Sequence, residues 1–141
     1  MLTINPIEEK QEQERLCAIC GIPYRIACLA YGAYVDGNFV GMSQFTLCDD
    51  YGILCDLAYA EGTHDREAMF ILGRQTMNWI DLLGIHECRT TPTAGEAKLL
   101  RLMGFVPTAD PDVLVADMRG MFDGHCGGNC NLAKELLSDD E

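Results

Sequence analysis

The N-terminal part of the chain changes from a helical to an extended spacing of its hydrophobic positions. Residues Ile7–Cys20 are mainly polar, and their apolar positions Leu16, Ile19 and Cys20 follow the i, i+3, i+4 spacing of one buried helical face. A short apolar run before them, Leu2–Ile4, predicts a strand. The chain is therefore expected to begin with a strand followed by an amphipathic helix.

Three apolar stretches separated by short polar turns come next. Their bounds are Tyr24–Tyr34, Phe39–Leu47 and Ile53–Ala60. The turn Asp36-Gly37-Asn38 between the first two is a typical hairpin sequence, since Asp-Gly adopts the backbone angles that a tight turn needs. Short connections of this kind predict an antiparallel meander of three strands.

The second half alternates helical and extended spacing. A loop from Glu61 leads to a helix over Asp65–Leu83, whose apolar positions are Ala68, Ile71, Leu72, Trp79, Leu82 and Leu83. A strand (Ile85–Thr91), a helix (Thr93–Met103, buried face Leu99, Leu100 and Met103) and a last strand (Val113–Met118) follow. A strand, a helix and a strand in succession usually form a right-handed parallel crossover.

These elements predict an α/β fold of the order (β)αβββαβαβ. We expect a mixed, strongly twisted sheet of about six or seven strands with helices on both faces. The length of 141 residues suits one domain, which we place at residues 1–118. Residues 119–141 are rich in Gly and Cys and then acidic, and they are expected to form a tail.

Charge and hydropathy narrow the classes of partner. The chain has ten Lys and Arg and 22 Asp and Glu, a formal net charge of −12. This charge disfavours binding to nucleic acid or to anionic membranes and favours a cationic amine as substrate. No apolar run approaches the roughly 18 residues of a membrane span. The first residues lack the basic and apolar regions of a signal peptide, so we expect a cytoplasmic protein.

Eight cysteines raise the questions of disulfides and of metal. Four of them lie in apolar stretches and are interpreted as buried free thiols in a reducing compartment: Cys28, Cys48, Cys55 and Cys88. Five residues near the two ends could together form a zinc clip: Cys17, Cys20, His125, Cys126 and Cys130. Because Cys20 belongs to the expected buried face of the first helix, no metal is predicted, and the clip stays an alternative.

Three pieces of the sequence, in this order, carry a resemblance to a known family. They are the hairpin AYVDGNFVGMSQF, the strand-loop-helix DLAYAEGTHDREAMFILGRQTMNWIDLLG and the phrase AKLLRLMGFVP. Together they resemble the GNAT superfamily of acyl-CoA-dependent N-acetyltransferases over residues 1–118. The resemblance implies acetyl-CoA as donor and a small amine or a peptide amine as acceptor, and a homodimer is a further expectation.

The resemblance also implies where the donor lies. Its pantetheine would occupy a cleft where the third meander strand parts from the next strand. The backbone groups expected to hydrogen-bond to it are those of Leu57, Ala58 and Tyr59. The residues expected around its pyrophosphate are Arg66, Glu67, Ala68 and Met69.

The sequence departs from the family pattern in two places. The family loop R-x-x-G-x-G/A has Met69 and Ile71 in place of its glycines when Arg66 is taken as its first residue. An alternative alignment places Asp65, Glu67 and Met69 there. The Tyr that many members use as an acid falls on Leu100, which has no proton to donate.

Other residues could supply the acid and base of acetyl transfer. His64, Asp56 and Glu61 are candidates for the base, and Tyr59 is a candidate for the acid. Two functions remain open at this point. One is an acetyltransferase, and the other is a non-catalytic GNAT-like binding domain that has lost acetyl-CoA.

Overall fold

A computed structural model describes residues 1–122. The helices of this range are α1 (Lys10–Cys20), α2 (Arg66–Leu82) and α3 (Ala97–Met103). The strands are β1 (Leu2–Pro6), β2 (Leu29–Val35), β3 (Asn38–Leu47), β4 (Gly52–Tyr59), β5 (Glu87–Thr90), β6 (Val106–Pro107) and β7 (Leu114–Asp117). No helix in this range has the length and apolar content needed to cross a membrane.

The strands form a seven-stranded mixed sheet in the order β1-β2-β3-β4-β5-β7-β6. Strands β1 to β4 pair antiparallel, β4 pairs parallel with β5, and β7 pairs antiparallel with both β5 and β6. The α/β prediction, the meander and the parallel pair are confirmed. The hairpin turn is also confirmed, since Asp36 and Gly37 both have positive φ, at 50° and 83°.

Helices α1 and α2 lie on opposite faces of the sheet. On β3, the Ser43 hydroxyl lies 2.9 Å from the Thr76 hydroxyl of α2, while the Gln44 side chain accepts from Gln13 of α1 at 2.9 Å. Adjacent residues of a strand point to opposite faces. The larger part of the hydrophobic core lies on the α2 side and includes α3, and the smaller part lies under α1.

Several expected boundaries were wrong. Strand β2 begins at Leu29 rather than Tyr24, because residues 25–28 form a turn in which the Cys28 N–H donates to the Arg25 carbonyl at 3.0 Å. Helix α3 begins at Ala97 rather than Thr93, because the segment before it lies along β4. Strand β6 has only two residues, too few to show a hydrophobic pattern.

The expected buried faces of two helices were partly wrong. In α2, Ala68 and Leu72 are buried as expected, whereas Ile71, Leu82 and Leu83 are 39%, 75% and 52% exposed. The remaining buried positions of α2 are Met69, Gly73, Thr76, Met77 and Ile80. In α1, the buried residues are Gln13, Leu16 and Cys17, and Ile19 is exposed. The face of α3 is confirmed, since Leu99, Leu100 and Met103 are buried.

The cysteines differ from expectation in part. Cys28 and Cys88 are buried as expected, but Cys48 and Cys55 are only partly buried, and Cys17 is buried instead of Cys20. Within residues 1–122, no group of three or more His, Cys, Asp and Glu side chains is placed to hold a metal ion. His125, Cys126 and Cys130 of the alternative zinc clip lie outside the described residues.

Candidate functional site

A cleft begins where β4 and β5 separate. Their parallel pairing runs from Gly52–Cys88 to Leu54–Thr90, where β5 ends, while β4 continues to Tyr59. The last residues of β4 lead through a loop into the N-terminus of α2. This is the arrangement that the sequence resemblance predicted for the donor cleft.

The segment after β5, residues 91–96, returns to the exposed edge of β4. The Leu57 N–H donates to the Ala94 carbonyl at 2.8 Å. Gly95 lies so close to β4 that a Cβ on it would be 3.1 Å from the Leu57 carbonyl oxygen. The backbone N–H of Leu57, which was expected to serve the pantetheine, is therefore bonded to the chain itself.

Four side chains, which we call the Glu96 cluster (Tyr59, His64, Arg66 and Glu96), meet across this cleft. The Tyr59 hydroxyl donates to Glu96 Oε1 at 2.8 Å. Arg66 donates to both carboxylate oxygens, from Nε at 3.0 Å and from Nη2 at 3.1 Å. His64 Nε2 lies 2.9 Å from Glu96 Oε2, and the Tyr59 and His64 rings are 4.4 Å apart.

The contacts within the cluster keep Glu96 charged. Burial raises the pKa of the Glu96 carboxyl, but hydrogen bonds from Arg66, Tyr59 and His64 outweigh it, and the pKa is lowered overall. Burial, followed by the hydrogen bond to Glu96, raises the pKa of Tyr59 above its ordinary value, so the phenol keeps its proton. Tyr59, His64 and Arg66 thus form a site for an anion, and the carboxylate of Glu96 occupies it.

A carboxylate of the chain also binds the N-terminus of α2. Asp65 caps the helix, its side chain accepting from the Ala68 N–H at 3.0 Å. The Thr63 hydroxyl donates to the carbonyls of Val40 and Ala60 at 3.0 and 2.8 Å and fixes the loop before the cap. The N–H groups and the dipole of a helix N-terminus attract anions, and here Asp65 supplies one.

The structure brings some of the predicted site residues together and separates others. Tyr59, His64 and Arg66 meet in the Glu96 cluster. Glu61 and Glu67 are exposed, and the side chains of Leu57, Ala68 and Met69 are buried in the core. Ala58 is partly buried, and its carbonyl accepts from the Cys20 thiol at 3.7 Å. Leu100, at the position expected for an acid in the family, is also buried in the core.

Asp56 lies in a buried polar network instead of at the Glu96 cluster. Its carboxylate accepts from Arg25 Nε at 2.6 Å and from Gln44 Nε2 at 2.7 Å. Gln44 accepts in turn from Gln13 on α1. Asp56 is buried and both of its neighbours, Arg25 and Gln44, are bonded to its carboxylate, so its surroundings do not support its assignment as a general base.

Glu96 is the residue of the cluster that sequence reasoning missed. The expected helix over Thr93–Met103 placed it in a first turn, where an acidic residue is favourable by itself. Its partners lie 30 to 37 positions earlier in the chain. The glycine before it, which permits a close approach to β4, was the one sequence feature that could have drawn attention to this segment.

Comparison with known proteins gives a result for the fold. No family model matches the chain, and no curated protein matches it in sequence. Solved structures do match. One is a PaiA N-acetyltransferase from Thermoplasma acidophilum in complex with coenzyme A, with 14% identity, a TM-score of 0.61, and 83% of this chain and 99% of that chain covered. The chain has the GNAT fold.

Two other solved structures with the GNAT fold are similar to the same degree. The ribosomal-protein-S18-alanine N-acetyltransferase from Escherichia coli has 14% identity, a TM-score of 0.65, and 84% of this chain and 94% of that chain covered. A GNAT family acetyltransferase from Elizabethkingia anophelis with acetyl-CoA bound has 12% identity, a TM-score of 0.63, and coverages of 82% and 97%. The fold expected from the sequence is confirmed.

The chemistry of the donor groups suits a phosphate. Four groups here can bind carboxylates and phosphates alike: the Arg66 guanidinium, the Tyr59 phenol, the His64 imidazole and the N-terminus of α2. In this structure Glu96 is bonded to the three side chains, and Asp65 is bonded to the helix N-terminus. The donor groups at the opening of the cleft therefore match the chemistry of a phosphate-bearing ligand.

Proposed function

We propose that this protein is an acyl-CoA-dependent acetyltransferase that acts on a small amine or a peptide amine. One observation carries the proposal: β4 and β5 separate beyond Leu54–Thr90, beside the N-terminus of α2 and Arg66. The similar structures with coenzyme A or acetyl-CoA bound support it. The net charge of −12 favours a cationic acceptor.

The chain supplies groups for each part of the reaction. Arg66 would hold the pyrophosphate, and the backbone of Leu57–Tyr59 would hold the pantetheine in place of the present hydrogen bond between Leu57 and Ala94. The acetyl thioester supplies the acyl group. Tyr59 keeps a proton that it can donate, and His64, whose side chain is 56% exposed, is accessible to take a proton from the amine.

Titration calorimetry with acetyl-CoA tests this function. We expect binding below millimolar concentration, and we expect Arg66→Ala to weaken it by about tenfold or more, since a charged pair with phosphate is lost. Arg119→Ala is the matched control, because Arg119 pairs with Asp117 on the exposed surface at 2.7 Å. Absence of binding up to millimolar acetyl-CoA in the folded protein would overturn the proposal.

A second function has an observation of its own in its favour. Because the Leu57 N–H is bonded to Ala94 and the Glu96 cluster spans the cleft, the closed arrangement suits a non-catalytic domain with the GNAT fold. Release of free CoA thiol in the presence of lysine peptides and aliphatic diamines separates the two. An acetyltransferase releases thiol in an acceptor-dependent way, and a binding domain does not.

A further inference from the structure

The side chain of Glu96 does not cap the helix that it precedes. Glu96 is the N-cap of α3, yet its carboxylate makes no capping hydrogen bond there. It extends to Tyr59, His64 and Arg66 instead, which come from the end of β4, the following loop and the first turn of α2. The carboxylate is therefore bonded to the opposite side of the cleft and not to the N-terminus of α3.

The cluster joins the two sides of the cleft at its opening. One side is the end of β4 with the N-terminus of α2, and the other is the segment 91–96. Two residues before Glu96, the Ala94 carbonyl accepts from the Leu57 N–H at 2.8 Å. The Arg66–Glu96 pair is well shielded, with side-chain exposures of 17% and 23%. The carboxylate and the backbone bond therefore hold the segment against β4 together.

We propose that Glu96 is an internal occupant of the anion site that Tyr59, His64 and Arg66 form, and that a diphosphate-bearing ligand enters by displacing it. This inference rests on the proposed function, since it concerns regulation of the same site. The displacement is a competition between a carboxylate and a diphosphate for one guanidinium. A diphosphate carries more charge than a carboxylate and is the stronger partner for Arg66.

Closure of this kind lowers the apparent affinity for the ligand. When only a fraction of the molecules is open, the apparent dissociation constant is the intrinsic one divided by that fraction. Replacing Glu96 with glutamine removes the charge that competes for Arg66 and keeps the size of the side chain. The open fraction then rises, and so does the apparent affinity.

Calorimetric titration of wild type, Glu96→Gln and Glu87→Gln with acetyl-CoA, and separately with inorganic pyrophosphate, tests the inference. Glu87 is the matched control because it is a carboxylate paired with an arginine, Arg89, at 2.6 Å on the surface. We expect Glu96→Gln to bind both probes at least about tenfold more tightly than wild type, equivalent to about 1.4 kcal/mol. We expect Glu87→Gln to bind as wild type does.

The outcomes separate this inference from the proposed function. If acetyl-CoA binds wild type and Glu96→Gln equally, the proposal that Glu96 occupies the anion site is wrong, and the proposed acetyltransferase function is unaffected. If pyrophosphate binds Glu96→Gln more tightly but acetyl-CoA binds neither protein, the anion site stands and the acetyltransferase is wrong. If neither probe binds either folded protein, both proposals are wrong.

Hydrogen exchange gives a second measurement that needs no ligand. The Leu57 amide is bonded to Ala94 across the cleft, so its exchange reports how firmly the segment 91–96 is held. We expect the Leu57 amide to exchange at least about tenfold faster in Glu96→Gln than in wild type, with Glu87→Gln unchanged. Equal exchange in wild type and Glu96→Gln contradicts closure by Glu96. Glu96→Ala, followed in the same way, covers the case in which the glutamine variant folds poorly.

Discussion

Gln44 is a buried side chain whose hydrogen bonds connect α1, the turn after it and β4. Its amide nitrogen donates to the Pro23 carbonyl at 2.9 Å and to Asp56 at 2.7 Å. Its oxygen accepts from Gln13 and from the backbone N–H of Arg25. Buried polar groups cost free energy unless they are hydrogen-bonded. The network thus fixes one position of α1 on the sheet, since a shift of α1 would leave these groups without partners.

Arg25→Ala tests the energetic role of this network. The change leaves the carboxylate of Asp56, whose side chain is 8% exposed, without its charged partner. We expect a loss of about 1–3 kcal/mol in the free energy of unfolding, measured with urea. Arg15→Ala is the control, because its pair with Glu12 is exposed to solvent and its loss should change the free energy of unfolding little. Equal losses in the two variants would contradict the role assigned to the network.

Glu96 gives a prediction for the pH dependence of stability. Because its pKa is lower in the folded protein than its ordinary value of 4.5, its contribution is fully present above pH 4.5 and is lost as the pH falls through the lower, folded value. We expect wild type to exceed Glu96→Gln in unfolding free energy by about 1.5–3 kcal/mol at pH 7. Urea unfolding at a series of pH values should show this difference shrinking below pH 4.5. A constant difference down to acid pH contradicts it.

The packing of α2 on the meander depends on a glycine in β3. A Cβ at Gly41 would lie 2.6 Å from the Ala58 carbonyl oxygen on the neighbouring strand and would also overlap the Met69 sulfur. The sulfur belongs to a flexible side chain, but the carbonyl is part of the sheet. Gly41 therefore allows β3, β4 and α2 to approach each other closely at the end of the sheet that carries the candidate site.

Gly41→Ala should destabilise the protein by about 1–3 kcal/mol, because the added methyl group cannot be accommodated without moving the strand. Gly73→Ala in α2 adds the same group and is the comparison. There the methyl group would meet only flexible side-chain atoms, first those of Met103 at 2.5 Å, and alanine favours the helix by about 1 kcal/mol. We expect the Gly73 variant to lose clearly less stability in urea unfolding. The reverse order contradicts the role of the Ala58 carbonyl.

At the scale of the whole molecule, the excess of acidic residues gives a net charge of −12, and its self-repulsion opposes the compact state. Exposed charges more than about 10 Å apart are largely screened in 0.1 M salt. We therefore expect the melting temperature to rise by about 2–6 °C between 10 and about 200 mM NaCl at pH 7. Calorimetric melting measures this change, and a melting temperature that falls with salt would show that attractive pairs dominate instead.

The sequence by itself determined the order of the elements, the meander, the parallel β4–β5 pair and the buried face of α3. These features depend on local spacing, on short loops and on the right-handed crossover, all of which act between near neighbours in the chain. The sequence and the family resemblance named Tyr59, His64 and Arg66 as candidates, and the three lie within eight positions of one another. That they share one partner did not follow from the sequence.

The tertiary structure decided which polar residues are buried and what the site residues bind. Gln13 and Thr76 lie on buried helix faces because each meets a polar side chain of β3, Gln44 and Ser43 respectively. The hydrophobic pattern of α1 and α2 does not show these partners. Glu96 is 30 positions from Arg66, and its charge alone would suit a helix start. Only the return of the segment 91–96 to β4 brings its carboxylate to Arg66, because the contact depends on long-range packing, which local spacing does not encode.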